Sequence, residues 1–71
     1  MSSKNSIFKI GKNIRRIRQE KGISQDRLSK RADLALNTIV NIESGENPNP
    51  TIETLKKIAD ALEVSIEELL K

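Results

Sequence analysis

Asn37 and Asn41 are the side chains of this sequence best suited to recognising another molecule through hydrogen bonds. They are four residues apart, so a helix containing both would place them on one face. A side-chain amide carries a donor and an acceptor in one plane, and it can pair with the N6 and N7 edge of adenine. Both residues are therefore candidates for recognising a partner that presents a donor beside an acceptor.

Groups for catalysis or metal binding are scarce. The sequence has no His, Cys or Tyr, and it has no glycine-rich phosphate loop. It therefore lacks the commonest general base, the commonest metal ligands and a thiolate nucleophile. Phe8 is the single aromatic residue, which argues against the stacking platforms of single-strand binders. We expect no enzyme, no metal site and no cofactor.

The size of the chain predicts one domain with one core. Among its 71 residues, the ten Ile and seven Leu can fill a compact core but leave little for a roomy ligand pocket. No small-molecule ligand is required. A membrane span needs about 18 consecutive apolar residues, and no such run occurs. No apolar signal segment follows the polar start, so we expect a cytoplasmic protein.

Charge is distributed unevenly along the chain. Residues 1–31 contain ten basic and two acidic residues, whereas residues 32–71 contain three basic and eight acidic ones. This separation is typical of a protein that turns one face toward a polyanion. Solvated helix faces produce similar clusters, so the asymmetry alone does not identify DNA as the partner.

The elements that would position the two asparagines are short helices. Ile10, Ile14 and Ile17 continue a stripe that begins at Ile7 and predict a helix over residues 7–21, ended by Gly22. Residues 1–6 are expected to form a flexible tail, and residues 7–71 the folded domain.

The next two helices flank a three-residue connection. Ser24 is a suitable N-cap for a helix over residues 25–32, and residues 36–44 form a third helix that ends before Gly45. Ile39 and Ile42 are expected on its inner face. Such a turn fits an ordinary corner between helices, and it also fits a DNA-binding motif.

Two further helices complete an all-α fold. Pro48 and Pro50 mark a loop, Thr51 is a suitable cap for a helix over residues 52–62, and Ser65 forms a capping box with Glu68. The expected inner stripe of the fourth helix is Ile52, Leu55, Ile58, Ala59 and Leu62. No strand pattern is present, so we predict a compact five-helix domain.

An ordered series of motifs resembles the XRE-like helix-turn-helix family of phage repressors and Cro proteins. The matching segments are Ile-Gly-Lys-Asn-Ile-Arg from residue 10, Gly-Ile-Ser-Gln from residue 22, Ile-Glu-Ser-Gly from residue 42 and Asn-Pro-Thr from residue 49. The resemblance implies a lambda-repressor-like fold and covers residues 10–69.

The resemblance also assigns roles. Gln25 is expected to contact the phosphate backbone or a nearby base, and the helix over residues 36–44 is expected to read the major groove. On that helix, Asn37 and Asn41 are the expected base-reading residues. Leu36 and Val40 cannot hydrogen-bond, but they can pack on a thymine methyl group. The expected DNA-binding residues are Ser24, Gln25, Leu36, Asn37, Thr38, Val40, Asn41 and Ser44.

Simpler roles exist for three of these residues. Gln25 is a good helix former in a first helical position, and Leu36 and Val40 can belong to the edge of the core.

The resemblance implies a structural salt bridge between Arg18 and Glu43, not a base contact. Partial burial of this pair would lock the recognition helix to the first helix.

Three positions depart from the family pattern. Asp33 stands where Gly is common in the turn, and Asp tolerates left-handed backbone better than most residues. Ala35 stands where Ser or Thr often caps the recognition helix, a loss of about 1 kcal/mol. Glu63 replaces a Gly that often ends the fourth helix.

The predicted function is sequence-specific binding of double-stranded DNA by a transcriptional regulator, most naturally a repressor or autoregulator. The family implies a homodimer on a palindromic operator, with Val64, Ile66, Leu69 and Leu70 as candidates for the symmetric contact or for the core of the monomer. The alternative is a protein-interaction module, such as an antitoxin or adaptor, for which Leu36 and Val40 would form the contact.

Overall fold

The computed structural model describes residues 9–71, which form five α-helices and no strand within that range. The helices are α1 (Ile10–Glu20), α2 (Gln25–Ala32), α3 (Leu36–Ser44), α4 (Ile52–Leu62) and α5 (Ile66–Leu70). The predicted all-α fold with five helices is confirmed. The predicted tail, residues 1–6, and the first two positions of the predicted first helix lie outside the described residues.

Helix α1 is shorter than predicted at both of its described boundaries. Lys9 occupies the N-cap position and Lys21 the C-cap position, so neither belongs to the helix. Gly22 follows with a φ of 69°, in the left-handed region that glycine adopts without steric cost. The helix therefore ends at Glu20, one residue before the predicted end at Lys21, and Gly22 follows directly after the C-cap.

Side-chain caps begin three of the other helices. The Oγ of Ser24 accepts the backbone N–H of Arg27 at 3.0 Å, and Thr51 Oγ1 accepts that of Thr54 at 3.1 Å. Ser65 Oγ accepts the N–H of Glu68 at 3.3 Å. Such caps satisfy N–H groups that have no partner within the helix, which explains the close match between predicted and observed starts.

The capping box predicted for α5 is only half formed. Ser65 supplies its part, but the carboxylate of Glu68 accepts a hydrogen bond from Lys71 Nζ at 3.0 Å. The ion pair with Lys71 therefore takes the place of the expected return bond from Glu68 to the backbone of Ser65.

All five helices contribute to one hydrophobic core. The large side chains with essentially no exposure are Ile14, Leu28, Ile39, Ile42, Ile58, Leu62 and Leu69. The prediction for Ile52 is wrong, because this residue is 68% exposed. Its neighbours Thr51 and Glu53 are also exposed, so the first turn of α4 projects beyond the core.

Helices α3 and α5 pack against different pairs of helices. Helix α3 packs against both α1 and α2, whereas α5 packs against α1 and α4. Helices α1 and α2 therefore support α3, whereas α5 packs on a different part of the domain. None of the helices in residues 9–71 has the length and apolar character needed to cross a membrane.

Candidate nucleic-acid interface

The connection between α2 and α3 is a tight, internally bonded turn. Asp33 has a φ of 58° and a ψ of 48°, the left-handed conformation that the sequence suggested it would tolerate. The next residue, Leu34, donates its N–H to the carbonyl of Ser29 at 2.9 Å. Ser29 is buried and donates its own hydroxyl to the carbonyl of Asp26 at 2.7 Å. These bonds give the turn a defined shape.

Helix α3 has one buried face and one outward face. Ile39 and Ile42 are 0% and 2% exposed, as predicted for the inner face. Ala35 precedes the helix in an extended conformation and provides no side-chain cap, also as predicted. The position of α3 therefore depends on packing and on contacts from other elements more than on its own N-terminal cap.

The predicted contact residues of α3 lie on its other faces, with graded exposure. Asn37 is exposed, Leu36 is 43% exposed, and Thr38, Val40 and Asn41 are half-buried. Asn37 and Asn41 thus differ in their surroundings although they share a helix face. Asn37 is the more accessible of the two amides.

Arg18 and Glu43 form a bidentate ion pair between α1 and α3. Arg18 Nε donates to Glu43 Oε2 at 2.7 Å, and Arg18 Nη2 donates to Glu43 Oε1 at 3.0 Å. The two side chains are only 11% and 3% exposed. Arg18 Nη1 also donates to the carbonyl of Ile23 at 2.8 Å, so the guanidinium joins α1, the loop before α2 and α3.

Gln25 reaches the same carboxylate. Its Nε2 donates to Glu43 Oε1 at 3.0 Å, so this oxygen accepts from both Gln25 and Arg18. The first residue of α2 is thereby tied to the last turn of α3. Nothing in the sequence pattern indicated this bond, since the two residues are 18 positions apart.

An open cleft of about 290 Å³ lies beside this cluster. The residues that line it are Arg15, Arg18, Gln25, Val40, Glu43 and Ser44. It thus combines one exposed arginine with residues that belong to, or adjoin, the Arg18–Glu43 pair. The cleft is polar in character and opens next to the outward face of α3.

The two predicted serine contacts have hydroxyls engaged in local bonds. Ser24 Oγ caps α2, as described above. Ser44 Oγ donates to the carbonyl of Asn41 at 3.2 Å and accepts the N–H of Glu46 at 3.3 Å. Both residues are exposed at the ends of the helix-turn-helix. Ser44 therefore shapes the exit from α3.

Helices α1 and α2 carry six exposed basic side chains, of which Arg15 lines the cleft. The six are Lys12, Arg15, Arg16, Arg27, Lys30 and Arg31. Arg16 and Lys30 form exposed pairs with Glu20 and Asp26 at 3.4 Å and 3.1 Å. Such surface pairs are weak, so these cations remain available to an anionic partner.

Sequence reasoning assigned no packing role to two residues of α1 that contact other helices. Asn13 is buried, and its Nδ2 donates to the carbonyls of Leu69 and Lys71 at 2.9 Å and 3.0 Å, which fastens α5 to α1. Gly11 lies against the backbone of α3. Signals for both were present, because Asn13 lies at the edge of the apolar stripe of α1 and a glycine within a helix usually has a packing reason.

No cluster of acidic residues within residues 9–71 has the arrangement needed to hold a metal ion. The described site consists of amides, one buried ion pair, apolar side chains and exposed cations. This set can bind by hydrogen bonding and by attraction of negative charge.

Comparison with known proteins relates this arrangement to transcriptional regulators. The chain is 38% identical over 61 residues to the HTH-type transcriptional regulator SinR of Bacillus subtilis, covering 86% of this chain and 55% of SinR. It therefore spans about half the length of that relative.

Solved structures give the same relationship. The restriction-modification controller protein C.AhdI of Aeromonas hydrophila superimposes with a TM-score of 0.85 at 29% identity, covering 93% of this chain and 98% of C.AhdI. A crystal structure of SinR in complex with DNA superimposes with a TM-score of 0.84 at 37% identity, covering 87% of this chain and 98% of that one. The helix-turn-helix family model matches residues 14–69. The chain belongs to the XRE-type helix-turn-helix family.

Proposed function

We propose that this protein is a transcriptional regulator that binds double-stranded DNA and inserts α3 into the major groove. The observation that carries the proposal is the outward face of α3, which presents Asn37 and Asn41 while Ile39 and Ile42 anchor the opposite face. The DNA-bound structure of SinR, a relative with the same fold, supports this choice of partner.

The roles of individual residues follow from their positions. Asn37 and Asn41 are proposed to read adenine edges, and Leu36 and Val40 to contact thymine methyl groups. Ser24, Gln25, Thr38 and Ser44 are proposed to contact the phosphate backbone or adjacent groups. The exposed cations of α1 and α2 contribute attraction that does not depend on sequence.

We further propose a homodimer on a palindromic operator. Two recognition helices would then lie about 34 Å apart, one turn of B-DNA. Leu69 is fully buried in the monomer, which leaves the half-buried Val64, Ile66 and Leu70 as candidates for the symmetric contact. The protein would act as a repressor or autoregulator in the cytoplasm, where its operator lies.

Selection of bound sequences from random DNA duplexes tests the proposal directly. We expect enrichment of a palindrome with half-sites about one helical turn apart. Binding to the selected duplex should weaken steeply with salt, because phosphate contacts release counterions. Failure to enrich any sequence, together with no duplex binding at low salt, would rule out the proposed function.

Exposure of Leu36 favours one alternative, a protein-interaction module of the antitoxin or adaptor type. A leucine that is 43% exposed on α3 would be suited to an apolar partner surface. The variant Leu36→Ser separates the two functions. If the protein reads DNA through α3, the Leu36→Ser variant should select a sequence that is changed at one base position. If it is purely an interaction module, neither the variant nor the unaltered protein should select any DNA sequence.

A further inference from the structure

Glu43 restricts how the side-chain amide of Gln25 can be oriented. A carboxylate only accepts hydrogen bonds, so the amide group that faces it at 3.0 Å must be the Nε2 donor. With Oε1 of Gln25 toward Glu43, two acceptor oxygens would repel each other. The hydrogen-bonding chemistry therefore selects one of the two amide orientations.

The carboxylate itself cannot move freely to follow Gln25. Arg18 holds both of its oxygens, at 2.7 Å and 3.0 Å, and the carboxylate side chain is 3% exposed. The guanidinium is fixed in turn by the carbonyl of Ile23. Gln25 is thus attached to a rigid acceptor, although its own side chain remains half-buried at the edge of the cleft.

We propose that Glu43 is a positioning residue for DNA binding and that the Arg18–Glu43 pair holds the Gln25 amide in one orientation before DNA arrives. One N–H of Gln25 is committed to Glu43, and its second N–H is directed to an acceptor on the duplex. This inference rests on the proposed function and deepens it, because it gives the ion pair a part in binding beyond stability.

The advantage of this arrangement is a lower entropic cost of binding. A free glutamine side chain must give up several rotamers when it binds, and this loss of conformational entropy lowers the affinity. The bond to Glu43 meets this cost during folding. The acceptor on DNA is a phosphate oxygen or a base acceptor such as N7, and the effect of Gln25→Ala across different duplexes distinguishes the two.

The orientation can be tested in the free protein by NMR of side-chain amides. Gln19 is exposed on α1 and serves as the matched control. We expect one side-chain amide proton of Gln25 to differ in chemical shift from those of Gln19 and to exchange with water more slowly. In the Arg18→Lys variant, which keeps the positive charge but loses the bidentate geometry, this difference should shrink. Identical behaviour of Gln25 and Gln19 in the unaltered protein would overturn the inference.

A double-mutant cycle tests the contribution to DNA binding. Gln25→Ala should weaken binding to the selected duplex about 3–10-fold, the effect of one hydrogen bond. In the Arg18→Lys background the same substitution should cost less than about 2-fold, because an unaligned amide has little to lose. Asn37→Ala is the control, with an equal fold-change expected in both backgrounds. Equal effects of Gln25→Ala in both backgrounds would also overturn the inference.

The two experiments separate this inference from the proposed function. The NMR comparison requires no DNA, so the orientation of the Gln25 amide can be measured even if the protein binds no duplex. Suppose that the unaltered protein binds DNA in a salt-dependent way but that the effects of Gln25→Ala and Arg18→Lys are additive. The proposed function is then retained and the positioning role is rejected. Uniform weakening of all duplexes by Gln25→Ala identifies a phosphate acceptor, whereas a change at one base position identifies a base acceptor.

Discussion

The backbone of Gly11 in α1 lies directly against the carbonyl oxygen of Ile42 in α3. A Cβ atom at this position would overlap that oxygen and would lie 3.2 Å from the carbonyl oxygen of Glu43. The two helices therefore approach more closely than any residue with a side chain would permit. This contact, about two helical turns before Arg18 along α1, sets the separation of α1 and α3.

Gly11→Ala is expected to force α3 away from α1. Crowding of a packed interface costs about 1–3 kcal/mol, and this loss should exceed the gain in helix propensity from alanine. Urea unfolding measures the loss of stability, and DNA titration measures the weaker binding that follows displacement of α3. Lys12→Ala, an exposed neighbour on the same helix, should change stability by less than about 0.5 kcal/mol. Equal stability of the two variants would contradict the close-contact explanation.

Asn13→Ala should loosen α5 from α1. The substitution leaves the carbonyls of Leu69 and Lys71 without their shared donor, at a cost of about 1–3 kcal/mol. Hydrogen exchange should show faster opening of α5 than of α2. Gln19→Ala on the exposed side of α1 is the control and should leave exchange unchanged. An Asn13→Ala variant in which α5 exchanges at the original rate would refute the clamp.

Removal of one partner of the Arg18–Glu43 pair should be strongly destabilising. Arg18→Met leaves a carboxylate that is 3% exposed without its cation, at a cost of about 3–5 kcal/mol. The double variant Arg18→Met with Glu43→Leu should recover a large part of this loss, because no unpaired charge remains. Thermal unfolding of each variant measures these losses. In this assay Arg16→Met, which breaks an exposed pair with Glu20, should cost less than about 1 kcal/mol. A double variant as unstable as the single one would show that the loss arises from packing.

Asn37→Ala and Asn41→Ala should alter the selected DNA sequence at particular base positions. A good bidentate contact between an amide and adenine contributes about 1–3 kcal/mol of discrimination. Repeating the random-duplex selection with each variant measures the change. Asn49→Ala, an exposed loop substitution, should preserve the base preferences. If Asn37→Ala weakens all duplexes equally, that residue contacts the backbone and does not read bases.

Leu70→Lys is expected to weaken dimer formation while preserving the fold. Leu70 is half-buried against the core, so a long lysine stem can keep part of its packing while its charge opposes a symmetric apolar contact. Sedimentation equilibrium should show a shift toward monomer. Ile52→Lys is the matched control, since this apolar residue is 68% exposed on α4. A dimer that withstands Leu70→Lys but dissociates with Ile52→Lys would place the contact on α4.

Local signals in the sequence were sufficient to predict helices α2, α3 and α4 within the bounds observed. Ser24 and Thr51 begin helices through bonds to the chain within three residues, and Gly45 ends α3 in the left-handed conformation. Hydrophobic periodicity also identified the inner face of α3. It could not reveal where the core ends along α4, which is why the prediction for Ile52 was wrong.

Contacts between distant residues were only partly accessible. The resemblance to a family paired Arg18 with Glu43, whereas composition and spacing alone did not. Neither source indicated that Gln25 shares the same carboxylate or that Asn13 holds α5, because each bond depends on how separate helices pack. The roles of the individual α3 residues in binding remain predictions, to be tested by the selection experiments.

The bonds from Asn13 to α5 also connect two segments that are far apart in the sequence. They join residues separated by 56 and 58 positions, so they close a loop that contains most of the described chain. Closing a long loop costs conformational entropy before the contact is formed. We therefore expect α5 to dock late in folding, after the intervening helices have packed against α1.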